Sequence, residues 1–397
     1  MPHQRNRFIT HKVHQLSKLW PAVGVVGARQ TGKTTLLRDL LEIENYVTLD
    51  DEDARTEAEH SAKTFLAKRR AGDVDPILID EVQKVPKIFD ACKLLIDKKR
   101  IPGRFYFTGS VDFSTKVGIR ESLTGRLGLV QLHPLTLAEG LQDTPFFPKN
   151  LLHGNRPRFT SGQIAAHSID GGMPVPMFIR DRTQQNAYWE GWVETTVYRD
   201  LYRVYGKSYD PDFSFKILSD FGKILREGEL PTLRSFSQKA AKLRKYLEAM
   251  QTIFLVHRIP AHDKTIGSEA WLPFDSGLAR YLMKTDQGEG PTLSLARIYV
   301  YNEILSNFEY SSGKQRLLYY RSSKGSPVDW ISEDESCVFK VVTEGRSAPG
   351  GLGWKERAVA GALRTLNLTR GFLVAPIDEV EIPKKSGMGI LPWSFWS

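Results

Sequence analysis

Short apolar runs punctuate the first third of the chain, and longer stretches of helical period fill its middle. Val23-Gly24-Val25-Val26, Pro76-Ile77-Leu78-Ile79 and Phe105-Tyr106-Phe107 are almost unbroken in apolar character. That is the pattern of strands buried on both faces, as in a parallel sheet. Thr34 to Leu41 follows the first run and predicts a helix. Tyr188 to Tyr205 reads as a helix with Trp192, Tyr198 and Leu201 turned to the core, and Phe213 to Arg226 as another. Leu233, Phe236, Ala240, Leu243, Leu247, Met250 and Phe254 recur at spacings of three and four. They form the stripe of one amphipathic helix with its entry turn, capped by Ser235 or Ser237. Thr252 to Pro260 and Ala270 to Phe274 read as short strands. The tail returns to mixed character, with strands at 317–320, 328–331 and 337–342, a helix from Trp354 to Leu366, and a strand from Gly371 to Ala375.

The turn between the first strand and its helix is Gly27-Ala28-Arg29-Gln30-Thr31-Gly32-Lys33-Thr34. It fits the phosphate-binding pattern G-x-x-x-x-G-K-[ST], and strand–loop–helix is the context that pattern needs. The two glycines let successive backbone N–H groups converge on one anion, and the helix adds its positive end. Lys33 supplies charge to the β- and γ-phosphates and Thr34 a hydroxyl to Mg²⁺, with Thr35 less central. The run ending in Asp80-Glu81 places two acids at the carboxyl end of a buried strand, where open α/β sheets bind ligands. Asp80 then suits Mg²⁺ through water, and Glu81 suits a general base for the attacking water. Phe107-Thr108-Gly109-Ser110 ends another strand. Ser110, with Thr108, is a candidate contact to the γ-phosphate or to water; a plain strand end with turn residues is the other reading. Arg126 is a candidate for stabilising transition-state charge, and Arg29 a weaker one; a surface arginine is the alternative.

The strings GARQTGKTTLL, ILIDEVQ, FTGS, ESLTGR and HPLTLAEG, in that order over residues 20–140, resemble a prokaryotic AAA+ ATPase family. In that family the ATPase is fused to a C-terminal region of uncertain function. The resemblance implies a five-stranded parallel sheet with strands near 23–26, 46–49, 77–80, 104–108 and 128–132. It implies the roles above for Lys33, Thr34, Asp80, Glu81 and Ser110, with Arg126 acting across a subunit boundary. Leu49-Asp50-Asp51 resembles the family's acids after the second strand, without an assigned role. Asp170-Gly171-Gly172-Met173-Pro174 resembles its Gly-Gly-x-Pro turn, and Arg199-Asp200 a polar pair of its accompanying region.

Helix, turn, helix and a two-stranded wing over 211–274 follow the winged-helix plan, which the resemblance supports. Within 231–258, Arg234, Lys239, Lys242, Arg244, Lys245 and Arg258 stand against the one acid Glu248. This basic face suits phosphate contacts of duplex DNA, a solvated helix face being the other reading. The tail resembles a restriction-endonuclease-like core. Asp329, Lys340 and Glu303 match that pattern, but Val338 stands where a metal-binding carboxylate is needed. The tail therefore reads as a degenerate nuclease-like domain or a structural cap.

Composition narrows this little. The 397 residues suffice for two or three domains, and a net charge of +9 permits nucleic-acid binding without establishing it. Cys92 and Cys337, the two cysteines, imply no disulfide framework. No run is long enough to span a membrane and the basic start lacks an apolar signal core, so the expectation is a soluble cytoplasmic protein without a membrane partner. The expected α/β organisation is a P-loop AAA+ domain over 1–141, a linker or insertion over 142–170, an α-rich helical and winged-helix module over 171–290, and a small nuclease-like domain over 291–397. The expected activity is Mg²⁺-dependent ATP hydrolysis coupled to conformational change, with self-association or a protein partner open. A DNA-binding regulatory or defence protein using ATP as a slow switch is the alternative. An ATP-gated nuclease is disfavoured by Val338.

Overall fold

The computed structural model describes residues 5–69, 76–113, 123–154, 158–285, 290–311, 316–321, 328–345 and 353–397. Glu121 and Ser122 of the ESLTGR string lie outside them. The chain divides into two compact units, His3–His133 with Thr252–Phe254, and the remainder from Pro134 onward.

The first unit is built on five parallel strands: β1 (Ala22–Val26), β2 (Tyr46–Thr48), β3 (Ile77–Asp80), β4 (Phe105–Gly109) and β5 (Leu127–Gln131), in the order β2-β3-β4-β1-β5. β1, β3 and β4 are buried along their whole length, as their unbroken apolar runs require. Against them packs the helix Lys87–Lys98, whose Phe89 meets Phe107 edge-on at 5.3 Å. Because all five strands run one way, the residues following β1, β3 and β4 gather at one edge of the sheet. The helix after β1 is short. One α turn (Lys33–Thr35) passes into a π turn (Leu36–Leu40), closed by Leu41 N–H on the Leu36 carbonyl at 3.1 Å.

The second unit holds the helices Leu137–Leu141, Ser161–Asp170, Arg182–Thr195, Pro211–Arg226, Ala240–Thr252, Ser276–Met283 and Leu293–Tyr310. Arg182–Thr195 runs through a π turn (Thr196–Leu201) into a last α turn (Tyr202–Tyr205). Trp192 and Leu201 are buried there, but Tyr198, expected in the core, is 59% exposed. The inward stripe runs instead through Trp189, Trp192, Val193, Val197 and Leu201. Asp210 caps the next helix on Phe213 N–H, with Pro211 in its first turn. The apolar stripe from Leu233 to Phe254 is not all one helix. Leu233 and Phe236 are buried before the helix starts, Ala240 opens it exposed, and Phe254 follows its end at φ +60°. Ser235 accepts from Thr232 N–H within the turn, and Ser237 donates to Asp220 of the preceding helix. β6 (Val256–Ile259) and β7 (Ala270–Pro273) form an antiparallel ribbon after it.

A second five-stranded sheet closes the chain. β8 (Leu317–Tyr319), β9 (Trp330–Ser332), β10 (Cys337–Val341), β11 (Arg370–Ala375) and β12 (Gly387–Pro392) lie in the order β12-β11-β10-β9-β8. β10, β11 and β12 are parallel, and β9 and β8 antiparallel. The helix Gly353–Leu366 covers one face, where Val338, Val342, Val359 and Leu373 share a core. Among the described residues no helix is long and apolar enough to cross a membrane.

Candidate active site

The loop after β1 owes its shape to two glycines. A Cβ on Gly27 would lie 2.3 Å from the Leu132 carbonyl oxygen, which forbids any side chain. Gly32 takes φ +95° directly before the helix, a conformation glycine adopts at little cost. Between them Gln30 is also left-handed, at φ +63°, and the Thr31 hydroxyl donates to the Ala28 carbonyl at 2.9 Å. Lys33 is buried inside the curl, with its ammonium donating to the carbonyls of Gly27 at 3.1 Å and Ala28 at 2.8 Å. Arg7, from before the helix Thr10–Leu19, braces the loop. Its guanidinium donates to the Thr31 carbonyl at 2.8 Å and the His133 carbonyl at 2.6 Å.

Asp80 stands across the loop at the end of β3, buried, with hydroxyls on both carboxylate oxygens. Thr34 donates to Oδ1 at 2.7 Å, and Thr108 donates to the same oxygen. Tyr46 and Thr48 of β2 donate to Oδ2 at 3.3 and 3.2 Å. Thr34 and Asp80, forty-six residues apart, thus form one oxygen-donor pair. Among the described residues no cluster of three or more His, Cys, Asp or Glu forms a metal cage. A single carboxylate and a hydroxyl facing a phosphate loop nonetheless fit Mg²⁺, which keeps its waters and takes substrate phosphates as ligands.

Glu81 turns the chain at φ +55°, a strained position for a side chain with Cβ and one found at functional sites. Its Oε2 accepts from Ser110 Oγ at 2.9 Å and Gln83 Nε2 at 2.5 Å, and Gln83 also reaches Ser110 at 3.3 Å. Burial pushes the Glu81 carboxyl above its ordinary pKa, while the charge of Lys33 and the Ser110 hydrogen bond pull it back.

The structure therefore brings Lys33, Thr34, Asp80, Glu81 and Ser110 together, within the loop lined by Gly27, Ala28, Arg29, Gln30, Thr31 and Gly32. Thr35 follows Thr34 in the α turn. Arg7, Tyr46, Thr48 and Gln83 belong to the same site and had no assigned role in the sequence reading. Gln83 stands in the ILIDEVQ string; Tyr46 and Thr48 are brought in by the pairing of β2 with β3, and Arg7 comes from before the helix Thr10–Leu19. Asp50 pairs with Lys84 and Asp51 caps the helix Glu52–His60, which accounts for the acids after β2 structurally. Arg126 is not in the site of its own chain. Its carbonyl accepts from Ala22 N–H at the start of β1, at the opposite end of the sheet, and its guanidinium pairs with Asp97 at 2.6 Å.

In the second unit the candidate basic face is partly engaged. Lys242 lies 3.5 Å from Asp210 and Arg244 2.6 Å from Glu269, while Arg234, Lys239 and Lys245 are exposed. The nuclease-like trio does not assemble. Asp329 is fully buried against Arg297 at 2.8 Å and accepts from Val341 N–H at 2.6 Å. Lys340 is buried nearby, its pKa lowered by desolvation against the pull of Asp329. Glu303 sits elsewhere, accepting from Leu137 N–H at 2.8 Å.

Comparison with known proteins agrees with this geometry where it is strongest. Residues 20–141 match the model of a family described as an AAA domain. Uncharacterized proteins of Mycobacterium bovis and Mycobacterium tuberculosis are each 28% identical over 371 residues, covering 90% of this chain and 76% of theirs. Two solved structures give looser likenesses. A Walker-type ATPase of Pyrococcus abyssi is 13% identical at TM-score 0.37, over 69% of this chain and 94% of that one. The Orc1 protein of Aeropyrum pernix, solved in complex with DNA, is 10% identical at TM-score 0.28, over 72% and 94%. Overlap at those scores adds nothing to the site itself.

Proposed function

We propose that the chain is a Mg²⁺-dependent ATPase that couples ATP hydrolysis to conformational change. The observation that carries this reading is the 2.7 Å bond from the Thr34 hydroxyl to Asp80, formed beside a glycine-shaped loop that holds Lys33. Backbone N–H groups of the loop and the Lys33 ammonium bind the β- and γ-phosphates. Thr34 and Asp80 would hold Mg²⁺, which when bound neutralises charge on the phosphoryl oxygens. Glu81 takes the proton of the attacking water, and Ser110, bonded to Glu81, orients water or the γ-phosphate. Arg126 reaches a site only across a subunit boundary, so its role goes with self-association. The test is steady-state ATP hydrolysis in Mg²⁺ by wild type and Glu81→Gln, with and without duplex DNA. Glu81→Gln is expected to bind ATP normally and turn over roughly a hundredfold slower or worse, and Lys33→Ala to lose affinity. Unimpaired turnover in Glu81→Gln would remove Glu81 from its role.

The second reading is an ATP-switched DNA-binding protein. We read the two helices and the β6–β7 ribbon as a winged helix, and its support is the exposure of Arg234, Lys239 and Lys245. A strongly salt-dependent affinity for duplex DNA, with a smaller slope in Lys239→Gln/Lys245→Gln, supports it; an unchanged slope removes this helix as the contact. We read the closing sheet as nuclease-like without a working site, because Arg297 already neutralises Asp329 and Val338 lies in the core. Metal-dependent cleavage abolished by Asp329→Ala would reverse that.

A further inference from the structure

Two aromatic side chains stand out on the surface of the second unit. Among the described residues the exposed large aromatics are Tyr198 and Tyr202, at 59% and 52%. They lie four residues apart, on the π turn and the α turn that end one helix. Behind each lie further rings. Tyr198 meets Phe215 at 5.5 Å, and Tyr202 meets Tyr209 at 6.5 Å. Tyr205 packs on Tyr246 at 4.3 Å, and Phe213 on Tyr246 at 4.6 Å. Lys242 covers the edge of this group, its ammonium 3.9 Å from the Phe213 ring centre. Lys245 follows Lys242 by three residues on the same helix, and Lys239 immediately precedes that helix; both are exposed. Arg203 and Lys207, next to Tyr202, are exposed as well. Three acids share the area: Asp210, held by Lys242 and by the helix it caps, the exposed Asp212, and the exposed Glu194, four residues before Tyr198.

We propose that this tyrosine pair and its lysine border bind single-stranded nucleic acid, the rings stacking on unpaired bases and the cations following the phosphates. Stacking platforms beside a cationic track are the common design of single-strand binders, and every base offers a face to a ring. The rings stand on the outside of a helix, where a paired base, already stacked, cannot reach them. A neutral or acidic rim would have suited a protein partner better than this one. The inference does not depend on the ATPase reading, because it concerns another unit and is tested without nucleotide.

The experiment is fluorescence anisotropy of a labelled oligothymidylate and of its duplex with oligodeoxyadenylate, titrated with the full-length protein at several salt concentrations. Wild type is expected to bind the single strand more tightly than the duplex. Tyr198→Ala/Tyr202→Ala should weaken the single strand by roughly tenfold or more and leave the duplex unchanged. Tyr198→Phe/Tyr202→Phe should retain binding, since the ring and not the hydroxyl stacks. Both sites are exposed, and matching thermal melts confirm that the variants fold. The proposal is overturned by wild type that ignores oligothymidylate, by an alanine variant of equal affinity, or by an alanine variant altered only in sedimentation, which would make the patch a protein contact.

Discussion

Glu81 is where burial and hydrogen bonding oppose each other most directly. Desolvation raises its pKa, and a base must be ionised to accept a proton. The Ser110 hydroxyl and the Gln83 amide each stabilise the ionised form, as does the charge of Lys33. Replacing Gln83 by Leu removes one donor, so the Glu81 pKa rises further. Activity that needs ionised Glu81 is present above its pKa and lost below it. The acid limb of the kcat–pH profile should therefore move to higher pH in Gln83→Leu; an unmoved limb would mean Gln83 does not govern Glu81. A second expectation concerns Arg7, which holds the Thr31 and His133 carbonyls from outside the loop. Arg7→Ala should raise KM for ATP several-fold with a smaller effect on kcat, measured in the same assay, because it loosens phosphate binding rather than chemistry. Lys33, Thr34, Asp80 and Glu81 were legible in the sequence because each stands in a contiguous pattern. Arg7, Tyr46 and Thr48 were not, because nothing local marks them; Tyr46 and Thr48 reach Asp80 through the pairing of β2 with β3, and Arg7 reaches Thr31 and His133 from before the helix Thr10–Leu19.

Strands wrote themselves into the sequence more clearly than helices did. Buried parallel strands must be apolar on both faces, so β1, β3 and β4 show as unbroken runs. β12 escaped because Gly387-Met388-Gly389-Ile390-Leu391-Pro392 carries two glycines and ends in proline. Tyr198 was misplaced because aromatic size suggested burial, while the helix spends its inward positions on Trp189, Trp192, Val193, Val197 and Leu201. The Gly-Gly-x-Pro turn has a packing explanation that spacing alone did not give. A Cβ on Gly172 would lie 2.0 Å from the Leu135 carbonyl oxygen, while Gly172 N–H donates to Asp275 and its carbonyl accepts from Leu135 N–H in the same small volume. Asp275 also caps the helix Ser276–Met283 through the N–H groups of Gly277 and Leu278. Gly172→Ala should cost about 1–3 kcal/mol or more by overpacking, read as a lower urea midpoint at constant slope. A variant as stable as wild type would mean the backbone yields there without cost.

Over the second unit as a whole, stability is set against pH by buried ionisable groups of opposite sense. Burial raises Glu303 to about 8 and Asp275 to about 6, and lowers His167 and His257 to about 4 each. Between pH ~4.5 and ~8 native Glu303 keeps a proton that the unfolded chain has released, so its contribution destabilises progressively as pH rises through that window. The histidines act the other way. Below pH ~6.5 the unfolded chain takes up protons that the native imidazoles refuse, and stability falls as pH falls toward about 4. The two slopes enclose a maximum on the acid side of neutrality. Glu303→Gln removes the carboxyl's slope while its amide oxygen still accepts from Leu137 N–H, the bond that native Oε1 makes at 2.8 Å. The variant should gain on wild type as pH rises from ~4.5 to ~8 and hold that gain above it. Urea midpoints across that range measure it, and parallel curves for the two proteins would show that Glu303 is ionised in the native state at neutral pH.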